Sequence, residues 1–171
     1  MDNNIIIRKA VPEDAPAILD IVKRAFKVYQ AELSSGIKVA ALNETIDQTL
    51  FDIENQHVYA AFLEDGTIAG TIRFESLNSD LAYIYRFGVD PDINNSGIGS
   101  ELINRAIADC VEMGFKAITL HTNAKYYKLA RYYYGREFYV HSTDMSKGYI
   151  RALFVKDLSA EAVDLTPAFK R

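Results

Sequence analysis

The sequence contains little of what several classes of protein require. It has one cysteine, Cys110, among 171 residues, so no internal disulfide can form. Its longest apolar run, residues 58–63, is far shorter than the ~20 residues that a membrane-spanning helix needs. The first four residues carry neither a basic start nor an apolar signal region. These absences predict a cytoplasmic protein with no membrane partner.

Basic clusters and metal-ligand motifs are also missing. The formal net charge is −4, and the lysine and arginine residues are spread along the chain, which argues against a nucleic-acid partner. The three histidines, His57, His121 and His141, lack the Cys/His spacing of zinc sites, so we expect no bound metal. The acidic balance suits a cationic amine ligand better than an anionic one.

The chain has enough hydrophobic residues to form one core. Its length and its 49% hydrophobic content are typical of a single domain, which we expect to span residues 1–171. Cys110 shares helical spacing with Leu102 and Ala106, which predicts a buried, inert thiol.

The periodicity of the hydrophobic residues predicts both strands and helices. Strands are predicted at residues 4–8, 58–63, 67–74, 81–89, 116–121, 138–143 and 149–155. Helices are predicted at residues 12–30, 42–55 (capped by Asn43), 98–113 and 124–134. Gly88 interrupts the fourth strand, which indicates a bulge or the close approach of a ligand.

One segment, residues 90–102 with the sequence DPDINNSGIGSEL, joins a predicted strand to a predicted helix. The first N–H groups of a helix lack intrahelical partners, and the helix dipole adds positive charge, so phosphate oxygens are attracted there. Gly97 and Gly99 leave those amides accessible. A dinucleotide fingerprint would need a third glycine where Leu102 stands, and a Walker loop would need Gly-Lys-Ser/Thr. The segment therefore predicts a phosphate-bearing ligand of another class.

The order of strand, acidic turn, Asn94-x-x-Gly97-x-Gly99, helix and second strand resembles the GCN5-related N-acetyltransferases, roughly from Ile5 to Leu158. That family holds the pyrophosphate of acetyl-CoA with Arg or Gln, two residues, Gly, one residue, and Gly or Ala. Asn94 stands here in place of the longer residue. The resemblance implies the acyl-CoA N-acyltransferase fold, an α/β (α+β) fold whose mixed, splayed sheet of about seven strands is flanked by about four helices.

The resemblance also implies a division into a core, residues 5–158, and a C-terminal tail, residues 159–171. Leu165 and Phe169 predict that this tail docks either on the core or on a second subunit, which would make the protein a homodimer.

Acetyl-CoA is the co-substrate that the resemblance implies, and it suggests two groups of contacts. The residues expected at the pyrophosphate are Asn94, Asn95, Ser96, Gly97, Ile98, Gly99 and Ser100. The residues expected along the pantetheine arm, between the splayed ends of the fourth and fifth strands, are Phe87, Gly88 and Val89. The backbone N–H of Val89 or a neighbour would stabilise the oxyanion. Asn123 would either meet the pantetheine amides or cap the next helix.

A tyrosine protonates the departing thiolate in many members of the family, within the pattern Tyr-x-x-x-Gly-Phe. Residues 132–138 read YYYGREF, with Glu137 in place of the glycine. Counting back from Phe138 selects Tyr133 as the general acid and leaves Tyr134 as the alternative. The remaining tyrosines are expected to pack the helix against the sheet.

The amine proton needs a base, and four candidates stay open: Glu32, Glu75, Asp80 and His121. Arg86 is expected either to contact an acceptor carboxylate or to form a structural ion pair. The implied activity is direct transfer of the acetyl group of acetyl-CoA to an amine, most simply that of a small molecule. The alternatives are a protein N-terminus or lysine as the acceptor, and a non-catalytic acyl-CoA binding or sensing module.

Overall fold

A computed structural model describes residues 4–93 and 96–171. Its strands are β1 (Ile6–Lys9), β2 (His57–Phe62), β3 (Ile68–Ser76), β4 (Leu81–Val89), β5 (Ala117–Asn123), β6 (Tyr139–Asp144) and β7 (Arg151–Asp157). They form one sheet in the order β1-β2-β3-β4-β5-β7-β6. Only β4 and β5 pair in parallel in the described residues, so the sheet is mixed. The seven predicted strands are confirmed, with their ends displaced by at most two residues.

The helices are α1 (Ala15–Ala31), α2 (Ile46–Asn55), α3 (Ile98–Glu112), α4 (Tyr127–Tyr134) and the short α5 (Thr166–Phe169). Four of them confirm the predicted helices, and α5 was not predicted. The predicted cap of α2 was wrong: Asn43 lies in a preceding 3-10 turn, and the Thr45 hydroxyl accepts a hydrogen bond from the Gln48 N–H at 3.3 Å. Among the described residues, no helix combines the length and apolar character needed to cross a membrane.

Two apolar cores lie on opposite faces of the sheet. Helix α3 packs Ile98 and Leu102 against one face, and α1 packs Ile18 and Val22 against the other. Cys110 is fully buried in the α3 core, as predicted, and burial raises the pKa of its thiol to about 12. The thiol is therefore protonated at neutral pH and enclosed by apolar side chains.

A bulge interrupts β4 at Arg86, two residues before Gly88, where the sequence indicated it. Thr71 pairs with Gly88 and Arg73 pairs with Tyr85, so two residues of β4, Arg86 and Phe87, face one residue of β3. Arg86 has a left-handed φ of 49°. The extra residue shifts the alternation, which is why Phe87 packs with the α3 core instead of sharing a face with Tyr85.

A side chain at position 88 would collide with α1, which crosses β4 at Gly88. A Cβ at Gly88 would lie 2.8 Å from the Cβ of Ala25. We predict that Gly88→Ala lowers the free energy of unfolding by about 1–3 kcal/mol through overpacking, measured by urea denaturation. The control is Gly135→Ala, whose Cβ would lie 3.5 Å from the Arg131 carbonyl oxygen and whose φ is −64°. Equal stability of the two variants would contradict this explanation of Gly88.

The C-terminal tail docks on its own core. Ala168 is buried against Leu81 and Ala117, and Leu165 packs beside it. The carbonyl oxygen of Arg171 accepts a hydrogen bond from Arg151 Nη1 at 2.9 Å. Of the two docking sites considered for the tail, the structure shows the core, and it brings the last residues of the tail to the edge of the splay in the sheet.

Candidate active site

The sheet opens between β4 and β5. These strands pair only from Leu81 opposite Ala117 to Tyr83 opposite Thr119, and both continue beyond that point. A cavity of about 720 Å³ occupies the gap. The expected splay of the fourth and fifth strands is therefore present, and the cavity lies where the pantetheine arm was expected.

The first turn of α3 borders this cavity. Gly97 is the N-cap of α3 with a left-handed φ of 76°, and its carbonyl accepts the first helical hydrogen bond, from the Glu101 N–H at 3.0 Å. The N–H groups of Ile98, Gly99 and Ser100 therefore lie in the turn that lacks intrahelical acceptors. Ser96 precedes this turn. Asn94 and Asn95 lie outside the described residues.

Gly99 lies where the segment predicted to bind phosphate, residues 90–102 (called the phosphate loop), meets the walls of the cavity. It lines the cavity together with Phe87, Gly88 and Val89. A Cβ at Gly99 would lie 3.4 Å from the Tyr132 hydroxyl and 3.6 Å from Val89 Cγ2. A side chain there would occupy space beside the loop, so the residues present fit a phosphate-bearing chain that enters the splay at Gly99.

One backbone N–H of β4 faces the gap. The N–H of Asp90 donates to the Ala69 carbonyl at 2.8 Å, towards β3. Successive N–H groups of a strand point to opposite edges, so that of Val89 points towards β5, where the strands have parted. The N–H group that is expected to stabilise the oxyanion therefore points towards the cavity.

The three adjacent tyrosines occupy different environments. Tyr133 lines the cavity and is 6% exposed, with its ring 5.6 Å from that of Phe138 and 5.4 Å from that of Phe154. Burial raises the pKa of its hydroxyl above the ordinary value. Tyr134 is 55% exposed on the outer side of α4. Tyr132 also lines the cavity, although no spacing in the sequence selects it over its neighbours.

Asn123 lies at the end of β5 with its side chain engaged locally. Its Oδ1 accepts a hydrogen bond from the Lys125 N–H at 2.9 Å, and its own N–H donates to the Tyr29 hydroxyl at 2.8 Å. The side chain therefore stabilises the turn that leads into α4, but it does not cap that helix, whose N-cap is Tyr126.

Of the four candidate bases, only His121 lines the cavity. Its Nδ1 lies 3.0 Å from the Tyr83 hydroxyl, and burial lowers the pKa of His121 to about 4. Its imidazole is therefore neutral at pH 7. Glu75 contacts the Arg171 guanidinium, Asp80 pairs with Lys116 at 3.5 Å, and Glu32 is exposed at the end of α1.

Arg86 forms the structural ion pair, one of its two expected roles. Its Nε donates to Glu44 Oε2 at 2.5 Å. Glu44 Oε1 lies 2.7 Å from Nη1 of the fully buried Arg73 and accepts a hydrogen bond from the Thr49 hydroxyl at 2.7 Å. Arg73 also donates to Asp52 at 2.8 Å. This network fixes the bulged end of β4 against α2.

The cavity wall is strongly cationic, a feature that the sequence analysis missed. Six basic side chains line it, and none of its described lining residues is Asp or Glu: Lys38, Arg86, Lys147, Arg151, Lys170 and Arg171. The three arginines pair with carboxylates behind the wall. The three lysines form no ion pair with any described residue, so they present net positive charge to the cavity.

These lysines come from three separate segments on the α1 face of the sheet. Lys38 lies in the loop after α1, Lys147 in the β6–β7 turn, and Lys170 in the tail. The first two segments touch, because a Cβ at Gly148 would lie 3.5 Å from Ile37 Cδ1. Gly99 belongs to α3 and Tyr132 to α4, whereas none of the three lysines lies on either helix.

A mixed sheet that splays between two parallel strands, with a glycine loop at the start of the following helix, defines the acyl-CoA N-acyltransferase fold. Residues 20–138 match the Acetyltransferase (GNAT) family, and the chain belongs to that family. It is an acetyl-CoA-dependent N-acetyltransferase.

Similar proteins agree with this assignment. The chain is 31% identical over 163 residues to the S-(2-succino)cysteine N-acetyltransferase of Bacillus subtilis (strain 168), covering 88% of this chain and 94% of the relative. The PaiA N-acetyltransferase from Thermoplasma acidophilum, solved in complex with coenzyme A, has a TM-score of 0.77 at 20% identity and covers 90% and 99% of the two chains. A GCN5-related N-acetyltransferase from Rhodopseudomonas palustris has a TM-score of 0.76 at 17% identity and covers 92% and 98%.

Proposed function

We propose that this enzyme transfers the acetyl group of acetyl-CoA to the amine of a small amino acid that carries several carboxylates. The observation that carries the proposal is the cavity wall with six basic and no acidic side chains among its described residues. A polycarboxylate acceptor would offset that charge, whereas a polyamine would be repelled. The local charge thus favours the opposite of the cationic ligand that the net charge of −4 suggested.

The same wall assists the chemistry of the amine. An ammonium group with an ordinary pKa of about 10.4 is mostly protonated at pH 7 and cannot attack a thioester. Nearby positive charges lower the pKa of a bound ammonium, which increases the fraction of neutral amine. His121, neutral at pH 7 because of its low pKa, accepts a hydrogen bond from that amine. A strongly basic carboxylate is therefore not required in this cavity.

Transfer proceeds directly from thioester to amine. Acetyl-CoA supplies an activated carbonyl carbon, and the amine nitrogen forms a bond to it as the carbon–sulfur bond breaks. The Val89 N–H donates to the carbonyl oxygen as negative charge develops there. Tyr133 donates its proton to the departing sulfur, the nitrogen loses a proton to solvent as the amide forms, and Tyr133 regains its proton from solvent. Cys110 takes no part, because its thiol is buried with a pKa of about 12.

The named relative supports this class of acceptor. The Bacillus subtilis enzyme is an S-(2-succino)cysteine N-acetyltransferase, and that compound is a cysteine whose sulfur is bonded to carbon 2 of succinate, which adds two carboxylates. Its carboxylates would meet the lysines that have no ion-pair partner among the described residues, while its amine would point towards the thioester.

A charge series of cysteine derivatives tests the acceptor class. We predict that kcat/KM increases in the order S-methylcysteine, S-carboxymethylcysteine and S-(2-succino)cysteine, and that the differences shrink in high salt. Lys170→Glu is expected to lower kcat/KM for S-(2-succino)cysteine about 5- to 30-fold and to leave the KM for acetyl-CoA unchanged.

The matched control is Lys9→Glu, which makes the same charge change on β1, away from the cavity. An equal loss in both variants would indicate a general effect of net charge. Faster acetylation of polyamines, or of peptide N-termini or lysines, than of the dicarboxylate and tricarboxylate substrates would refute the proposed acceptor class.

A further inference from the structure

The phosphate loop is acidic, although the diphosphate that it is expected to bind is also negatively charged. Residues 90–104 contain no lysine or arginine and include three acids, Asp90, Asp92 and Glu101. Arg24 donates to Asp90 at 2.7 Å and to Asp92 at 3.3 Å, which offsets part of this charge. A diphosphate adds further negative charge, and the N-terminus of α3 contributes only about half a positive charge. Tight binding therefore needs a cation from elsewhere in the chain.

Arg136, just after α4, lies against the first turn of α3. Its Nη2 donates to the Ser100 hydroxyl oxygen at 2.6 Å, and its Nη1 donates to the Tyr132 carbonyl at 3.0 Å. Its guanidinium carbon also stands 3.6 Å from the centroid of the Tyr132 ring. These contacts hold the guanidinium in one orientation beside the phosphate loop.

The charge of this guanidinium is not neutralised by a neighbour. The adjacent acid, Glu137, pairs with Lys156 at 3.0 Å. No carboxylate of residues 4–93 or 96–171 forms an ion pair with Arg136, unlike the three cavity arginines. Two of its N–H donors are engaged by Ser100 and Tyr132, and the others remain for a ligand.

Tyr132 provides a second sign of a ligand at this place. Its hydroxyl is buried and has no hydrogen-bond partner in the described part of the chain. Buried hydroxyl groups are normally paired, because leaving one unpaired is costly. This hydroxyl faces Gly99, so a polar group of a chain passing the loop would complete its hydrogen bonding.

We infer that Arg136 binds the diphosphate of acetyl-CoA. Ser100 and the Tyr132 ring orient the guanidinium, and Arg136 contributes the positive charge that the shorter, neutral residue at position 94 does not carry. Guanidinium is suited to this because its planar donors match phosphate oxygens. The inference concerns the binding of the cofactor and is independent of the acceptor.

Calorimetric titration with coenzyme A and with 3′-dephospho-coenzyme A tests this assignment without an acceptor. Both ligands carry the diphosphate. Arg136→Gln is expected to weaken both about 10- to 100-fold, as loss of a charge-assisted hydrogen bond does. Arg136→Lys keeps the charge and is expected to bind both more tightly than Arg136→Gln. The control, Arg131→Gln, removes an exposed cation from α4 itself and is expected to bind both normally.

Three results would overturn the inference. Unchanged binding of both ligands by Arg136→Gln would exclude a phosphate contact. Weakened binding of coenzyme A alone would place the contact at the 3′-phosphate. Equally weakened binding in the Gln and Lys variants, together with a lower thermal midpoint in both, would mean that Arg136 only stabilises the end of α4. The Lys variant keeps the charge, so it still tests the inference if the Gln variant folds poorly.

Discussion

Tyr133→Phe is expected to lower kcat about 100- to 1,000-fold, the range over which general acids contribute. The phenol is the group best placed to protonate the departing thiolate, because it lines the cavity while its ring is fixed by Phe138 and Phe154. Phenylalanine keeps that packing, so the thermal midpoint is expected to stay nearly unchanged. Steady-state kinetics with acetyl-CoA and S-(2-succino)cysteine would measure the loss.

The neighbouring tyrosines make the test specific. Tyr134→Phe removes the same hydroxyl from an exposed position and is expected to keep full activity. Tyr132→Phe removes a hydroxyl that faces Gly99, so it is expected to affect the KM for acetyl-CoA more than kcat. A larger kcat loss in either of these variants than in Tyr133→Phe would transfer the acid role to that residue.

Burial also determines how this acid responds to pH. It raises the pKa of Tyr133 above the ordinary value, so the hydroxyl keeps its proton throughout the range in which the amine loses its own. The activity of the wild-type enzyme is therefore expected to show no decline from loss of this proton below about pH 10, the ordinary pKa of tyrosine.

Much of the fold was predictable because its signals are local. The strand at residues 81–89 was predicted to the residue, since every second residue from Leu81 to Val89 is apolar or aromatic. The position of the bulge was not, because only the glycine is visible as a break in the sequence. The bulge lies at Arg86, whose left-handed backbone accompanies an ion pair with Glu44, 42 residues away. No local pattern encodes such a partner.

The two parts of the site also differ in how far the sequence could predict them. The glycine loop and Tyr133 follow spacings within single segments, so the sequence could indicate them. The cationic wall is assembled from Lys38, Lys147 and Lys170, which meet only after the tail has docked. Net charge suggested a cationic ligand although the cavity wall is basic, because net charge sums the whole surface and does not describe one cavity. Arg136 was missed for the same reason, since its partner Ser100 belongs to another helix.

Glu44→Gln is expected to lower the free energy of unfolding by about 3–5 kcal/mol, as removal of one member of a buried ion pair does. Glu44 is 4% exposed and is shared by Arg73 and Arg86. Its loss leaves the fully buried Arg73 with Asp52 as its remaining partner among the described residues. Urea denaturation would measure the change. Glu54→Gln, an exposed substitution on the neighbouring helix α2, is expected to stay within about 0.5 kcal/mol of wild type.

The pH dependence distinguishes lost charge pairing from lost packing. Burial alone would raise the pKa of Glu44, but attraction to Arg73 and hydrogen bonds from Arg86 and Thr49 lower it below its ordinary value of 4.5. A lowered pKa stabilises the fold above pH 4.5, and this stabilisation is lost as the pH falls through the folded-state value. The stability difference between wild type and Glu44→Gln is therefore expected to shrink with acidification, because protonated glutamate and glutamine are both neutral. A difference that stays constant from pH 7 into this acidic range would contradict the ion-pair explanation and indicate a packing defect.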